Sequence, residues 1–471
     1  MHNIEQIFIN GEFVTPHGTE RFDLYNPATA RVIGQVRLAD EVDGERAIAA
    51  AKAAFPAWSK TSKAERIAAL KRMHAAVVAR HDELLEAVIE EYGAPASRSA
   101  WMASYPAEVI AQAIAALEAF EFTSAAGAAT VQMVPLGVSG LITPWNSDAG
   151  FICGKLAVAL AAGCTAVIKP SEMSALQTRV ITEALADAAL PPGVFNIVTG
   201  RGDRVGETFS RHPDVAKISF TGSTTTGKAI LRNAAESFKR VTLELGGKSP
   251  TILLEDVDLT NAIPLVVQAG FMNSGQACVA GTRILVPQSR KAEIETALAD
   301  AVAAVKSGDP RDNATVIGPM VSEKQWQRVQ SYIRKGIDEG ARLLAGGEGR
   351  PEGTQDGWFV RPTLFADVNN QMAIARDEIF GPVLCVIPYR DEAEAVAIAN
   401  DTDYGLSAMV LGGDVARAHR VAQQIVSGRV LVNTLAHEPK APFGGFKHSG
   451  VGREMGEWGI RAFMEPRSVV G

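Results

Sequence analysis

Cys278 has the surroundings of a reactive thiol. It stands in Asn273-Ser274-Gly275-Gln276-Ala277-Cys278-Val279-Ala280, a run of small residues with weak helix propensity between apolar segments. Cys385, by contrast, lies inside the apolar run Val383-Leu384-Cys385-Val386-Ile387, the usual setting of a structural thiol. A thiolate nucleophile needs partners. None of the eight histidines (2, 17, 74, 81, 212, 419, 437 and 448) occupies a motif that would make a cysteine hydrolase. A carboxylate candidate does exist. Glu244, in Val241-Thr242-Leu243-Glu244-Leu245-Gly246-Gly247-Lys248, follows an apolar run and precedes a flexible Gly-Gly pair, which favours a partly buried, movable carboxylate.

A second group of residues points to a phosphate-bearing ligand. Gly222 to Ala229, with Gly227-Lys228, nearly fits the phosphate-loop pattern, but it has Ala229 where a magnesium-binding hydroxyl belongs. A nucleotide hydrolase is therefore disfavoured. The milder reading is a glycine turn that opens a helix and offers free N–H groups to a pyrophosphate. Gly200-Arg201-Gly202-Asp203-Arg204-Val205-Gly206 also follows a strand, one residue longer than the dinucleotide fingerprint. Lys169 and Glu172 lie just past another strand, where they could bind a ribose or form a plain surface pair.

The elements that would position these residues follow from the pattern. Ile7-Phe8-Ile9 and Glu12-Phe13-Val14 flank Asn10-Gly11, a hairpin signal. Helices are expected over 47–57, 63–80 and 107–122; His74, on the stripe of the second, reads as a core or boundary histidine. Strands are expected over 137–142, 166–168, 194–198 and 217–220, with a helix over 175–189 that Ser174 could cap. This alternation indicates a doubly wound parallel sheet whose ligands sit beyond the carboxyl ends of its strands. The second half alternates again, with strands over 251–254, 283–286 and 383–388 and helices over 293–306, 322–339 and 392–400.

The 471 residues allow two to four domains. A net charge of −7 gives no electrostatic footprint for nucleic acid. The longest nearly apolar run, 156–168, is too short to span a membrane. Cys153, Cys164, Cys278 and Cys385 form no CxxC pair, so no metal site is expected. With no signal-peptide layout at the start, a cytoplasmic protein is expected.

Taken together, the motifs resemble the aldehyde dehydrogenase superfamily over nearly the whole chain. The matching segments are Pro144-Trp145-Asn146, Lys169-Pro170-Ser171-Glu172, Phe220-Thr221-Gly222-Ser223, Glu244 to Lys248, Gly275 to Cys278, Glu378 to Val383 and Pro442 to Lys447. The resemblance implies an α/β protein with a Rossmann-like cofactor-binding domain (1–120 and 137–246), a second α/β catalytic domain (247–445) and small β oligomerisation segments (121–136 and 455–471). It implies Cys278 as nucleophile, Asn146 and the Cys278 N–H as oxyanion hole, and Glu244 as the base that activates water against a thioester. Thr143, Pro144, Trp145, Lys169, Ser171, Glu172, Gly202, Gly222, Ser223, Leu245, Glu378 and Phe380 match cofactor positions. The implied cofactor is NAD, with NADP as the alternative; the implied partners are an aldehyde and further copies of the chain, as dimer or tetramer. A CoA-acylating relative would usually lack the glutamate at 244. The family commonly has Phe-Pro where this chain has Ser147-Asp148. Ser147, Asp148 and His437 are accordingly expected to line a more polar substrate tunnel.

Overall fold

The computed structural model describes residues 1–354 and 356–471. Two large sheets dominate it. In the first, the order is Gly450–Val451, Arg240–Glu244, Val215–Thr221, Val138–Ile142, Thr165–Lys169, Phe195–Ile197, Ile7–Ile9, Glu12–Val14. The five strands from Arg240–Glu244 to Phe195–Ile197 are parallel. The chain runs from Val138–Ile142 outward through Thr165–Lys169 to Phe195–Ile197. It then crosses to the other side of Val138–Ile142 for Val215–Thr221. That reversal opens a crevice at the carboxyl ends of Val138–Ile142 and Val215–Thr221, the usual ligand site of such sheets. The edge hairpin forms as expected, with Asn10 at φ 56° and Gly11 at φ 84°.

The second sheet has the order Arg342–Ala345, Thr363–Ala366, Val383–Tyr389, Arg283–Pro287, Pro250–Leu253, Ser407–Leu411, Arg429–Val432, and only Arg342–Ala345 runs antiparallel. Its central strands are buried on both faces, hence their unbroken runs of Val, Ile and Leu. A three-stranded sheet joins Met464–Val470, Ala129–Pro135 and Thr123–Ala126; another joins His2–Ile4, Arg31–Arg37 and Arg21–Asn26.

Two expectations need correction. The helix expected over 107–122 is Ala96–Ala119, with Pro106 inside it and Pro95 before it. Proline at 106 obscured the first turns, although tertiary packing holds them helical. Ser174 makes no capping bond at the helix Ala175–Asp187. Its hydroxyl reaches the Trp145 carbonyl, and the buried carboxylate of Glu91 accepts from the N–H groups of Leu176 (2.7 Å) and Gln177 (3.2 Å) instead. No described helix is long and apolar enough to cross a membrane, and the run 156–168 divides between the helix Asp148–Ala162 and the strand Thr165–Lys169.

Candidate active site

Cys278 follows a turn that few sequences can make. Asn273, Ser274 and Gly275 all have left-handed backbones (φ 55°, 59° and 74°). A Cβ at Gly275 would stand 2.2 Å from the Gly381 carbonyl carbon, so glycine is required there. Gln276 anchors the turn from its far side: its Nε2 donates to Tyr92 and to the Pro319 carbonyl, and its Oε1 accepts from Val321 N–H. The Gln276 carbonyl accepts from Asn146 Nδ2 at 3.1 Å and from Asn273 Nδ2 at 3.2 Å. This places the Asn146 amide beside Cys278, on the wall of a cavity of about 680 Å³.

Glu244 ends the strand Arg240–Glu244 and lines the same cavity. It is buried, and neither carboxylate oxygen has a partner among the described residues. Burial, and then the charge of Glu454, hold its carboxyl well above the usual range, while Lys155 and Arg453 oppose that shift. Burial likewise pushes the Cys278 thiol up to about 12; Glu378 and Glu244 add to this and Arg429 pulls it down. The flexible pair after Glu244 is explained by crowding. A Cβ at Gly247 would meet the Cys278 carbonyl oxygen at 2.3 Å, and one at Gly246 the Glu378 carboxylate at 2.3 Å.

The residues expected to hold a cofactor gather at the crevice. Thr143, Pro144 and Trp145 follow Val138–Ile142, and Lys169, Ser171 and Glu172 stand at the end of Thr165–Lys169. Gly222 and Ser223 follow Val215–Thr221, and Leu245 follows Arg240–Glu244. Lys169 Nζ is 3.4 Å from Glu172, whose other oxygen is 3.3 Å from Arg201 Nη1. Ser223 caps the helix Thr224–Ala235, accepting from Thr226 N–H, so the first N–H groups of that helix face the crevice end of the sheet. Gly202 is exposed, and a Cβ there would meet nothing within 4 Å. From the second sheet, Glu378 accepts from Gly247 N–H at 3.0 Å, and Phe380 meets Trp145 edge to face at 5.4 Å. A ribose flanked by carboxylate and ammonium, and a pyrophosphate at a helix start, fit this donor set. The Thr143 hydroxyl is committed to Asp148, which leaves its backbone for a ligand.

Of the three tunnel residues, Ser147 and His437 line the cavity; Asp148 does not. Asp148 is fully buried at the start of the helix Asp148–Ala162, accepting from the Thr143 hydroxyl at 2.8 Å and the Thr178 hydroxyl at 2.7 Å. Helix geometry turns it toward the strand end, where it ties two helices to the sheet. Sequence reasoning missed the ion pair of Lys155 and Glu454 (2.5 Å) beside Glu244, and two cavity arginines, Arg98 and Arg429. Lys155 left a signal, a lone cation at the head of an apolar run; Glu454 left none. Among the described residues, no cluster of His, Cys, Asp and Glu could hold a metal.

Comparison with known proteins agrees with this geometry. The model of the aldehyde dehydrogenase family matches residues 13–469. The chain therefore belongs to the aldehyde dehydrogenase family. A putative aldehyde dehydrogenase of Staphylococcus haemolyticus is 44% identical, covering 100% of this chain and 99% of its own. A 3-succinoylsemialdehyde-pyridine dehydrogenase of a Pseudomonas species is 43% identical over the same shares. Among solved structures, a cysteine-to-alanine mutant of aldehyde dehydrogenase C of Pseudomonas syringae, in complex with NAD+ and octanal, superposes with a TM-score of 0.97 at 44% identity, covering 99% of this chain and 96% of that one. An aldehyde dehydrogenase of Mycobacterium tuberculosis with NAD+ gives 0.96 at 42%, covering 99% and 98%. The chain is an oxidoreductase that converts an aldehyde to a carboxylic acid with a nicotinamide cofactor.

Proposed function

We propose that Cys278 attacks the aldehyde carbon, that Asn146 and the Cys278 N–H hold the resulting oxyanion, and that Glu244 activates the water that releases the acid. The carrying observation is the convergence of these three residues on one cavity, with both Glu244 oxygens free of partners among the described residues. Charge develops on the substrate oxygen in both half-reactions, and one oxyanion donor is typically worth about 3 kcal/mol. When bound, the nicotinamide supplies the hydride acceptor. Lys169, Ser171 and Glu172 would hold its adenosine ribose, Ser223 its pyrophosphate, and Glu378 its second ribose, with Trp145, Phe380 and the backbones of Thr143, Pro144, Gly202, Gly222 and Leu245 shaping the groove. Once oxidised, the carbon is a thioester on Cys278. Glu244 takes a proton from water, which attacks the thioester carbonyl and expels the thiolate. The Lys155–Glu454 pair, bonded also to Ser219, offers that proton a way out. Glu244 favours water over CoA as the acyl acceptor. The chain works as a homo-oligomer in the cytoplasm on this reading, with residues 1–120 and 137–246 binding the cofactor and 247–445 carrying the thiol.

Intact-mass measurement after mixing with NAD and an aldehyde tests the assignment. Glu244→Gln should accumulate an acyl adduct on Cys278, and Cys278→Ala should carry none. An adduct that survives Cys278→Ala would remove Cys278 as nucleophile.

A further inference from the structure

Arg98 and Arg429 line the cavity with no carboxylate partner among the described residues. Arg429 donates from Nε and Nη2 to the Ser407 hydroxyl, both at 3.2 Å, and no described bond occupies its Nη1. The Arg98 guanidinium carbon stands over the Trp101 ring, 3.9 Å from its centroid, and its buried Nε has no partner at all among the described residues. The titratable groups that act on them are Tyr92 and Tyr105 for Arg98, and Cys278 and Tyr105 for Arg429. On the same wall, Lys155 does have a carboxylate partner, Glu454.

The remaining acids of the wall do not cancel this charge. Glu454 is neutralised by Lys155. Burial disfavours the charged form of Glu244, and Glu108 is exposed at the rim. His437 is held below the usual imidazole value by desolvation and by Arg429, so it adds no charge at neutral pH. A chain of net charge −7 therefore presents a positive interior at its substrate cavity. A half-buried guanidinium without a partner is costly, and a ligand carboxylate would relieve it with bidentate geometry. Apolar surface from Val109, Phe151, Val158 and Leu431 lies between the polar groups and suits a methylene chain.

We propose that the cavity selects aldehydes that carry a second, anionic group, a carboxylate at the far end of the chain, gripped by Arg429 and Arg98. Helix geometry supplies the ruler. Tyr105 acts on Cys278 and packs against Gly150, while Arg98 stands seven residues earlier on the same helix, about 10 Å away along its axis. Arg429, which acts directly on the thiol, serves the shorter chains and Arg98 the longer. The proposal rests on the aldehyde-oxidising reading of the site.

The test compares kcat/KM for ω-carboxy aldehydes of roughly four to eight carbons, the reach set by that helix span, with their uncharged methyl esters. The native enzyme and the variants Arg98→Met, Arg429→Met and the double variant are assayed. The ratio of carboxylate to ester cancels any effect of a substitution on Cys278 itself. We expect the native ratio to exceed tenfold at its best length, and to fall toward one in the double variant. Arg429→Met should lower it most for the shortest chains and Arg98→Met for the longest. A native ratio at or below one at every length overturns the proposal, as does a double variant with an unchanged ratio. If the double variant does not fold, the native ratio decides alone. Absence of turnover with both acids and esters, despite NAD binding, would instead strike the aldehyde-oxidising reading.

Discussion

Burial lifts both Cys278 and Glu244, and the consequence differs for each. Glu244 acts as a base only after losing its proton, and it holds that proton above the ordinary carboxylate range. Where water attack limits turnover, the kcat of the native enzyme should therefore rise with pH along a limb that lies above the ordinary carboxylate range. Glu244→Gln should lose that limb and give one burst of NADH followed by slow release. A Glu244→Gln enzyme with an unchanged pH profile would assign the limb elsewhere. The same scale governs cofactor choice. Glu172 would accept from a ribose 2′-hydroxyl and repel a 2′-phosphate, so NAD should be preferred. Yet Lys169 and Arg201 both stand within 3.4 Å of its oxygens. Removing the carboxylate would leave two cations facing the ribose. Glu172→Gln should thus raise kcat/KM for NADP relative to NAD by about tenfold, the worth of roughly 1.4 kcal/mol of charge complementarity. Steady-state kinetics with both cofactors would show it, and an unchanged ratio would take Glu172 out of the ribose site.

Between elements, Asp148 joins the strand end at Thr143, the helix it begins, and Thr178 of the neighbouring helix. Burial raises its carboxyl to about 7, with the two threonine bonds working against the shift. A carboxyl raised on folding lends stability below its unfolded pKa and loses it as pH climbs through the folded value. Asp148→Ala should cost about 1–3 kcal/mol by stranding two buried hydroxyls. Asp148→Asn should keep the bonds and flatten the loss of stability between about pH 4 and 7. Thermal unfolding at both pH values would report this, and parallel curves for native and Asp148→Asn would contradict it. Asp148 also marks where sequence reading stops. Glycine-ended strands and Gly-Gly turns are local, so the parallel sheet, its crevice and the stations of Cys278 and Glu244 were legible from residue order, while Asn146 came only with the family resemblance. The direction of the Asp148 side chain depends on helix phase at a single turn, which spacing does not reveal. The wall carrying Arg98, Trp101 and Tyr105 was hidden because Pro106 set the expected helix start too late. Glu454 reaches Lys155 across nearly three hundred residues of chain, and no pattern announces such a contact.

At the scale of the whole molecule, the open feature is a sheet edge. Met464–Val470 pairs with Ala129–Pro135 over seven residues, and among the described residues no strand lies on its other side. Val469 and Val470 are 49% and 75% exposed, and Trp458, in the helix just before this strand, is 53% exposed. A long unpaired edge with apolar side chains invites another strand, and soluble chains usually cover one. A second copy of the chain would do so symmetrically, which is the commonest way a homodimer forms. Light scattering should therefore give a mass of at least two 49.9 kDa chains. Deleting residues 465–471 should shift the mass toward one chain, because it removes the edge while leaving Ala129–Pro135 paired with Thr123–Ala126. The charge substitution Val470→Asp should weaken association with less disturbance to the fold. Dissociation should grow on dilution, since assembly couples stability to protomer concentration. A native enzyme that stays at one chain across concentrations would refute the interface, and so would a deletion variant of undiminished mass.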